Sequence, residues 1–209
     1  MTAGVTPRRF HEAGGVGDWR VVGEGASAYF RTGSFAAGAR LVQAIGELDG
    51  PSADVDVRRE GVTVRLVERD VETARRISAV ARDLGVPADP SAVQTVQLTV
   101  DALLTPEVKP FWRAVLGYAD RDDSPEDLVD PRRRGPSLWF QRMDAPRPQR
   151  NRLHVDVWVP HDRAEARVAA ALASGGHLVT DAHAPSWWLL ADAEGNEVCV
   201  ATWLARDLT

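Results

Sequence analysis

The sequence predicts an α+β chain: an antiparallel sheet with helices on one face, followed by paired βαβββ modules. Three observations carry this. Between Trp19 and Gly85, strand patterns and helical stripes run strand, strand, helix, strand, strand, helix, an order that suits an antiparallel sheet covered on one side. The segment Val86-Pro87-Ala88-Asp89-Pro90-Ser91 then breaks the patterning with small residues and two prolines, which divides the chain into domains 1–86 and 92–209. Beyond it a strand, a helix and further strands recur, and the interval from Gln97 to Gln141 nearly equals that from His154 to Cys199.

Trp19-Arg20-Val21-Val22 and Ala28-Tyr29-Phe30-Arg31 read as two strands joined at Gly23-Glu24-Gly25. Ser34 is the expected N-cap of a helix whose stripe is Phe35, Ala39, Val42 and Ile45, ending near Gly46. After the Asp49-Gly50-Pro51 breaker, 54–57 and 62–67 form a second strand pair. Asp70 then caps a helix with Val71, Ala74, Ile77, Ala81 and Leu84 buried and Gly85 as its stop. In the second half, 93–101 alternates as a strand, with Val96, Leu98 and Val100 on one face and Thr95, Gln97, Thr99 and Asp101 on the other. Val108, Phe111, Trp112, Val115 and Leu116 have helical spacing, and Pro110 implies either a start at that residue or a distorted first turn. Residues 119–136 read as loop and 137–141 as strand. The 151–160 stretch alternates strictly, with Leu153, Val155, Val157 and Val159 on an apolar face and Arg152, His154, Asp156 and Trp158 on a polar one. A helix capped by Asp162 with Glu165 three later follows, then strands 177–181 and 187–191, a turn at 192–196 and a strand from Glu197 to Trp203.

At 209 residues the chain is comfortable for two domains of about 100 residues each. A net charge of −5 with interspersed signs offers no basic field for nucleic acid, so a small molecule, flat and polar, is the expected partner, with a homodimer as one expected assembly. A single cysteine, Cys199, excludes an internal disulfide, and the first residues lack the apolar run of a signal peptide, so a cytoplasmic location is expected. No window approaches the roughly 18 apolar residues of a membrane span.

The tryptophan-led first strand, Tyr29-Phe30-Arg31 with Phe35, Asp54-Val55-Asp56-Val57 followed by Val62-Thr63-Val64-Arg65-Leu66, and Glu68-Arg69-Asp70-Val71 with Ala74 and Ile77-Ser78 resemble the pterin-4a-carbinolamine dehydratases over residues 8–85. Members of that family carry a His-His-Pro triplet before the third strand, where this chain reads Pro51-Ser52-Ala53. Neither Pro51 nor Ser52 has a pKa near neutrality with which to replace the imidazoles, so no dehydratase activity is expected. The Thr-His that ends the fourth strand in that family is also absent. Asp70 is the one surviving candidate for a catalytic role, and its structural reading is a helix N-cap.

Leu116-Gly117-Tyr118, Asn151-Arg152-Leu153-His154 and Asp192-Ala193-Glu194-Gly195-Asn196, with the Phe111-Trp112 pair, resemble a glyoxalase-like domain of the vicinal oxygen chelate superfamily over 93–203. The resemblance implies two modules curled into a glyoxalase-like cup, with metal ligands on the first and last strand of each. Carried across, those positions are Gln97, Gln141, His154 and Cys199. Two amides, a thiol and one imidazole are a poor set for a hard divalent ion, so neither a metal nor another cofactor is expected. Glu197 and Asp156 share the inward face. Asp156 is not expected to orient His154 directly, because residues two apart on a strand are nearly 7 Å apart. His154 and Asp156 are the catalytic candidates of the cup, while Trp139, the Trp187-Trp188 pair and Trp158 offer faces for a flat ligand and Asn151 and Arg152 polar contacts. Arg132 to Arg134 are expected to be solvated or to clamp an anion. Two functions follow: a non-catalytic protein binding a small molecule, or a lyase acting through either domain.

Overall fold

The computed structural model describes residues 5–23, 25–48, 52–122, 124–146 and 153–205. Its contacts divide the chain into two units, Met1–Thr95 and Val96–Thr209.

The first unit runs α1 (Pro7–Glu12), β1 (Arg20–Val22), β2 (Gly25–Arg31), α2 (Phe35–Gly46), β3 (Asp54–Val57), β4 (Gly61–Leu66) and α3 (Val71–Asp83). The sheet has the order β1-β2-β4-β3 and is antiparallel throughout. Cross-strand pairs Phe30↔Val62, Ala28↔Val64 and Ala26↔Leu66 point one apolar face at Leu41 and Ile45 of α2 and Ala74, Ile77 and Ala81 of α3. Trp19 is fully buried because its indole N–H donates to Ser78 Oγ at 3.0 Å and to the Ala74 carbonyl at 3.2 Å. Ser34 and Asp70 cap α2 and α3 as the sequence implies. The sequence reading omits α1, whose six residues start at Pro7 after a Thr6 cap and bury Phe10 alone, too little for a helical period to show. The proline segment is not free chain. Arg31 N–H donates to the Pro87 carbonyl at 2.9 Å and Asp89 N–H to the Tyr29 carbonyl at 2.8 Å, so it lies along β2.

The second unit contains the two modules. The first is β5 (Gln97–Ala102), α4 (Thr105–Leu116), β6 (Ala119–Arg121), β7 (Ser124–Val129) and β8 (Ser137–Arg142). The second is β9 (Val155–Trp158), α5 (Ala164–Ala173), β10 (His177–Thr180), β11 (Trp187–Ala191) and β12 (Glu197–Ala201). Their sheets, β5-β8-β7-β6 and β10-β11-β12-β9, have the same topology, the first strand of each pairing in parallel with the last. Leu98, Val100, Leu138 and Phe140 from one sheet and Val155, Val157, Val198 and Val200 from the other meet Phe111, Trp112 and Val115 of α4 and Val168 and Ala171 of α5 in a single core. Among the described residues no helix is long and apolar enough to cross a membrane.

Four local expectations are corrected. Residues 119–136 contain β6 and β7, whose charges pair locally: Asp120 bonds Lys109 and Arg113, and Asp127 bonds Arg121 at 2.8 Å. The helix α4 begins at Thr105 and carries Pro110 inside it, at the sixth helical position, where proline removes the donor that would have met the Pro106 carbonyl. No side chain caps α5; a 3-10 turn, His161–Arg163, leads into it instead of an Asp162 capping box. Leu153 is 87% exposed, whereas Val155, Val157 and Val159 pack on the core, because β9 starts only at Val155.

A latch joins the modules. The Asp192 carboxylate, wholly buried, accepts the Trp112 indole N–H at 2.9 Å, the backbone N–H groups of Glu194 and Asn196 at 3.0 and 2.9 Å, and the Asn196 amide at 2.8 Å. The turn thus shaped sends the Glu194 carboxylate to the N–H groups of Leu103 and Leu104, at 2.7 and 2.8 Å, just ahead of α4.

Candidate functional site

Register decides which side chains share a site. On the sheet face turned away from the helices, Thr99 lies beside Trp139 and Asp101 beside Gln141 in the first module. In the second, Asp156 lies beside Cys199 and Trp158 beside Ala201, with Trp187 on the far side of Ala201. Gln97 pairs with Ser137, four residues before the Asp101–Gln141 pair, which is roughly 13 Å of strand. Gln97 and Gln141 therefore do not converge, and the four-residue set transferred from the superfamily is not assembled.

His154, Asp156 and Cys199 do converge, with one ligand atom from each lying within 4.8 Å of the others. His154 precedes β9, where strand alternation no longer governs direction, and its imidazole folds back so that Nε2 lies 3.3 Å from Asp156 Oδ1. The expectation that the two could not meet is thus corrected. Both side chains are about half exposed, and Cys199 is half-buried. A metal ligated from both modules, as the superfamily resemblance implies, does not fit these residues; among the described residues, the donors that gather belong to the second module.

Among the aromatic candidates, Trp187 stacks on His183 with ring centroids 4.4 Å apart and planes 24° apart, and Trp158 and Trp139 keep exposed faces. Trp188 points the other way, into the core, as successive strand residues must. Asn151 and Arg152 lie outside the described residues. Asp70 is engaged as a cap: burial acts to raise its carboxyl, but the Thr73 hydroxyl, the backbone N–H groups of Glu72 and Thr73, and Arg76 outweigh it and hold the group below its usual range. The Arg132 to Arg134 loop is organised by Asp130, whose carboxylate accepts the N–H groups of Arg132, Arg134 and Gly135 at 2.9, 3.0 and 3.0 Å. Burial opposes the charge of Asp130, yet those bonds and Arg132 depress its pKa.

A cavity of about 750 Å³ opens between β5 and the residues leading into β9. Its walls are Leu98, Val100, Leu138, Trp112 and Val155, with Leu153 at the side and the 192–196 turn along one edge. Thr99, Asp101, His154, Asn196 and Glu197 supply polar groups. The volume suits a small organic molecule. Sequence reasoning missed Leu153 and Met143 as lining; an apolar residue just before a short strand was the available signal.

A family model for a glyoxalase-like domain matches residues 97–201. Solved structures with a detectable similarity include a glyoxalase-related enzyme from Fulvimarina pelagi, 18% identical, covering 53% of this chain and 88% of that one with a TM-score of 0.41. A glyoxalase/bleomycin resistance protein/dioxygenase family enzyme from Burkholderia phytofirmans is 14% identical over 51% and 95% of the two chains, TM-score 0.39. The fosfomycin resistance protein FosX from Mesorhizobium loti is 7% identical over 51% and 88%, TM-score 0.42. A comparison with curated proteins gives no match. With the family model spanning half of its length, the chain belongs to the glyoxalase-like domain family.

Proposed function

We propose that the C-terminal unit is a receptor for a small, flat, mainly apolar molecule with a hydrogen-bonding end. The observation that carries this is the 750 Å³ cavity, whose leucine, valine and tryptophan walls end at His154 and Asn196. Apolar walls supply affinity in proportion to area removed from water, and a few polar groups fix orientation. The fluorescent amine N-phenyl-1-naphthylamine, uncharged and flat, tests it. Wild-type protein should bind one equivalent saturably, and Leu98→Trp, which fills the cavity, should abolish binding. Absence of saturable binding, or equal binding by Leu98→Trp, would refute the reading.

For the N-terminal unit we infer a pterin-dehydratase-like domain without catalysis. Its support is the motif resemblance over 8–85, Ser52 and Ala53 in the place of the second histidine and the proline, and the engagement of Asp70 in capping α3. Purified protein should not accelerate dehydration of a 4a-hydroxytetrahydropterin, and turnover above the spontaneous rate would overturn this. One observation favours a lyase reading of the cup: the 3.3 Å approach of His154 to Asp156 would orient an imidazole as a general base. Base chemistry requires loss of activity in His154→Ala with cavity binding retained.

A further inference from the structure

We propose that the ligand of the cavity carries a lactam-like pair, an N–H beside a C=O, and that the open backbone edge of β5 at Thr99 recognises it. This rests on the cavity reading of the C-terminal unit and names the chemistry of the ligand's polar end. Four consecutive residues, Leu98 to Asp101, line the cavity, as do Leu153, His154 and Val155. Side chains alternate between the two faces of a strand, so consecutive residues reach one space only where the strand presents its edge. β5 ends the sheet β5-β8-β7-β6 and β9 ends the sheet β10-β11-β12-β9, and among the described residues neither edge pairs with the other.

Register fixes which backbone groups that edge offers. The Met143 N–H donates to the Ala102 carbonyl at 2.9 Å, so the backbone of Ala102 faces β8. Along a parallel strand, residues turn their N–H and C=O groups to alternate sides. Val100 and Leu98 therefore also face β8, while Thr99, Asp101 and Leu103 face outward. Leu103 conforms, since its N–H donates to the Glu194 carboxylate at 2.7 Å. Thr99 thus presents an N–H and a C=O side by side to the cavity, and among the described residues no backbone group answers them. An unpaired strand edge is a row of unmet donors and acceptors. A molecule with its own acceptor beside a donor closes two hydrogen bonds with this one residue, as a neighbouring strand would. A longer peptide does not fit the same edge, because Glu194 occupies it at Leu103 and the space is about 750 Å³. Leu98, Val100 and Val155 supply the apolar walls against which a flat ring lies.

The full-length protein is titrated calorimetrically with isocarbostyril, a flat benzo-fused lactam, and with N-methylisocarbostyril, which keeps the rings and the carbonyl but has no N–H. Wild-type protein should bind the lactam about tenfold or more tightly than its methyl derivative, the worth of a hydrogen bond to the Thr99 carbonyl. Thr99→Val, which keeps the backbone and deletes the hydroxyl, should keep that ratio. Thr99→Pro removes the outward N–H without touching the β8 ladder, a change that an edge strand accommodates. It should weaken isocarbostyril about fivefold or more relative to N-phenyl-1-naphthylamine, which has no carbonyl to meet that N–H. Absence of saturable naphthylamine binding would overturn the cavity reading and this inference with it. Saturable naphthylamine binding together with equal affinities for the two lactams, loss of the ratio in Thr99→Val, or an equal fall for lactam and naphthylamine in folded Thr99→Pro would overturn this inference alone. Circular dichroism verifies folding, and the wild-type lactam pair decides the matter if Thr99→Pro does not fold.

Discussion

Replacing Asp192 by alanine should cost the C-terminal unit about 3–5 kcal/mol. The carboxylate is wholly buried and accepts four hydrogen bonds, one from the Trp112 indole and three from the 194–196 turn. A bond to a charged acceptor is worth about 1.5–3 kcal/mol, but the four do not add, because water can reach the turn once the side chain is gone. Trp112 cannot recover in this way: it is 2% exposed, and its N–H would remain buried without an acceptor. For a unit of this size each kcal/mol moves the melting temperature by roughly 4 °C, so a fall of roughly 12–20 °C is expected. Asp192→Asn retains one carbonyl oxygen and should fall between the two. Thermal melts by circular dichroism and urea titration by tryptophan fluorescence measure the effect. If Asp192→Ala unfolds within about 1 kcal/mol of wild type, the latch does not hold the modules together and the energetic account of this turn is wrong.

Gly176→Ala should destabilise the same unit by about 1–3 kcal/mol, because the new methyl carbon would stand 2.2 Å from Cδ2 of Phe111, a fully buried ring; an unchanged urea midpoint would show that the ring can yield. Asp130→Asn should lower stability at neutral pH and flatten the acid limb. The folded pKa of Asp130 is depressed, so its stabilisation is complete above the unfolded value of about 3.9 and is lost as pH falls through the lower folded value; equal acid limbs in wild type and variant would contradict this. Val157→Asp should unfold the unit by placing a carboxylate without a partner against the core, and a soluble, cooperatively melting variant would mean the faces of β9 are reversed.

Periodicity made much of the fold legible. Of the expected stripe Val71, Ala74, Ile77, Ala81 and Leu84, all but Leu84, an exposed C-cap, face a core, as does the alternation Val155, Val157, Val159, and the Asp192 to Asn196 turn stands where the letters placed it. The strands β6 and β7 were hidden because their alternation is broken by charges, Asp120 pairing with Lys109 of α4 and Arg121 with Asp127 across the two strands. The site was harder for a different reason. Sliding two parallel strands by an even number of residues leaves every side chain on its own face, so Gln97 and Gln141 satisfy the pattern equally well whether they meet or stand four residues apart. The contact of His154 with Asp156 was invisible because it depends on where β9 begins, and strand ends are set by pairing with β12 rather than by local letters.

The Glu194 latch also has a consequence in time. Leu103 and Leu104 wait 91 and 90 residues for the carboxylate that accepts their N–H groups, and Trp112 waits 80 for its acceptor. At roughly 5–20 residues per second, the ribosome needs about 5–20 s to deliver Glu194 after Leu103. During that interval the nascent first module carries an uncapped helix and half of a shared core. Its apolar face is then open to chaperones or to the same face of a neighbouring nascent chain. Slow translation of 124–190 should therefore raise aggregation, and the lesion should be reproduced by Glu194→Ala at normal speed.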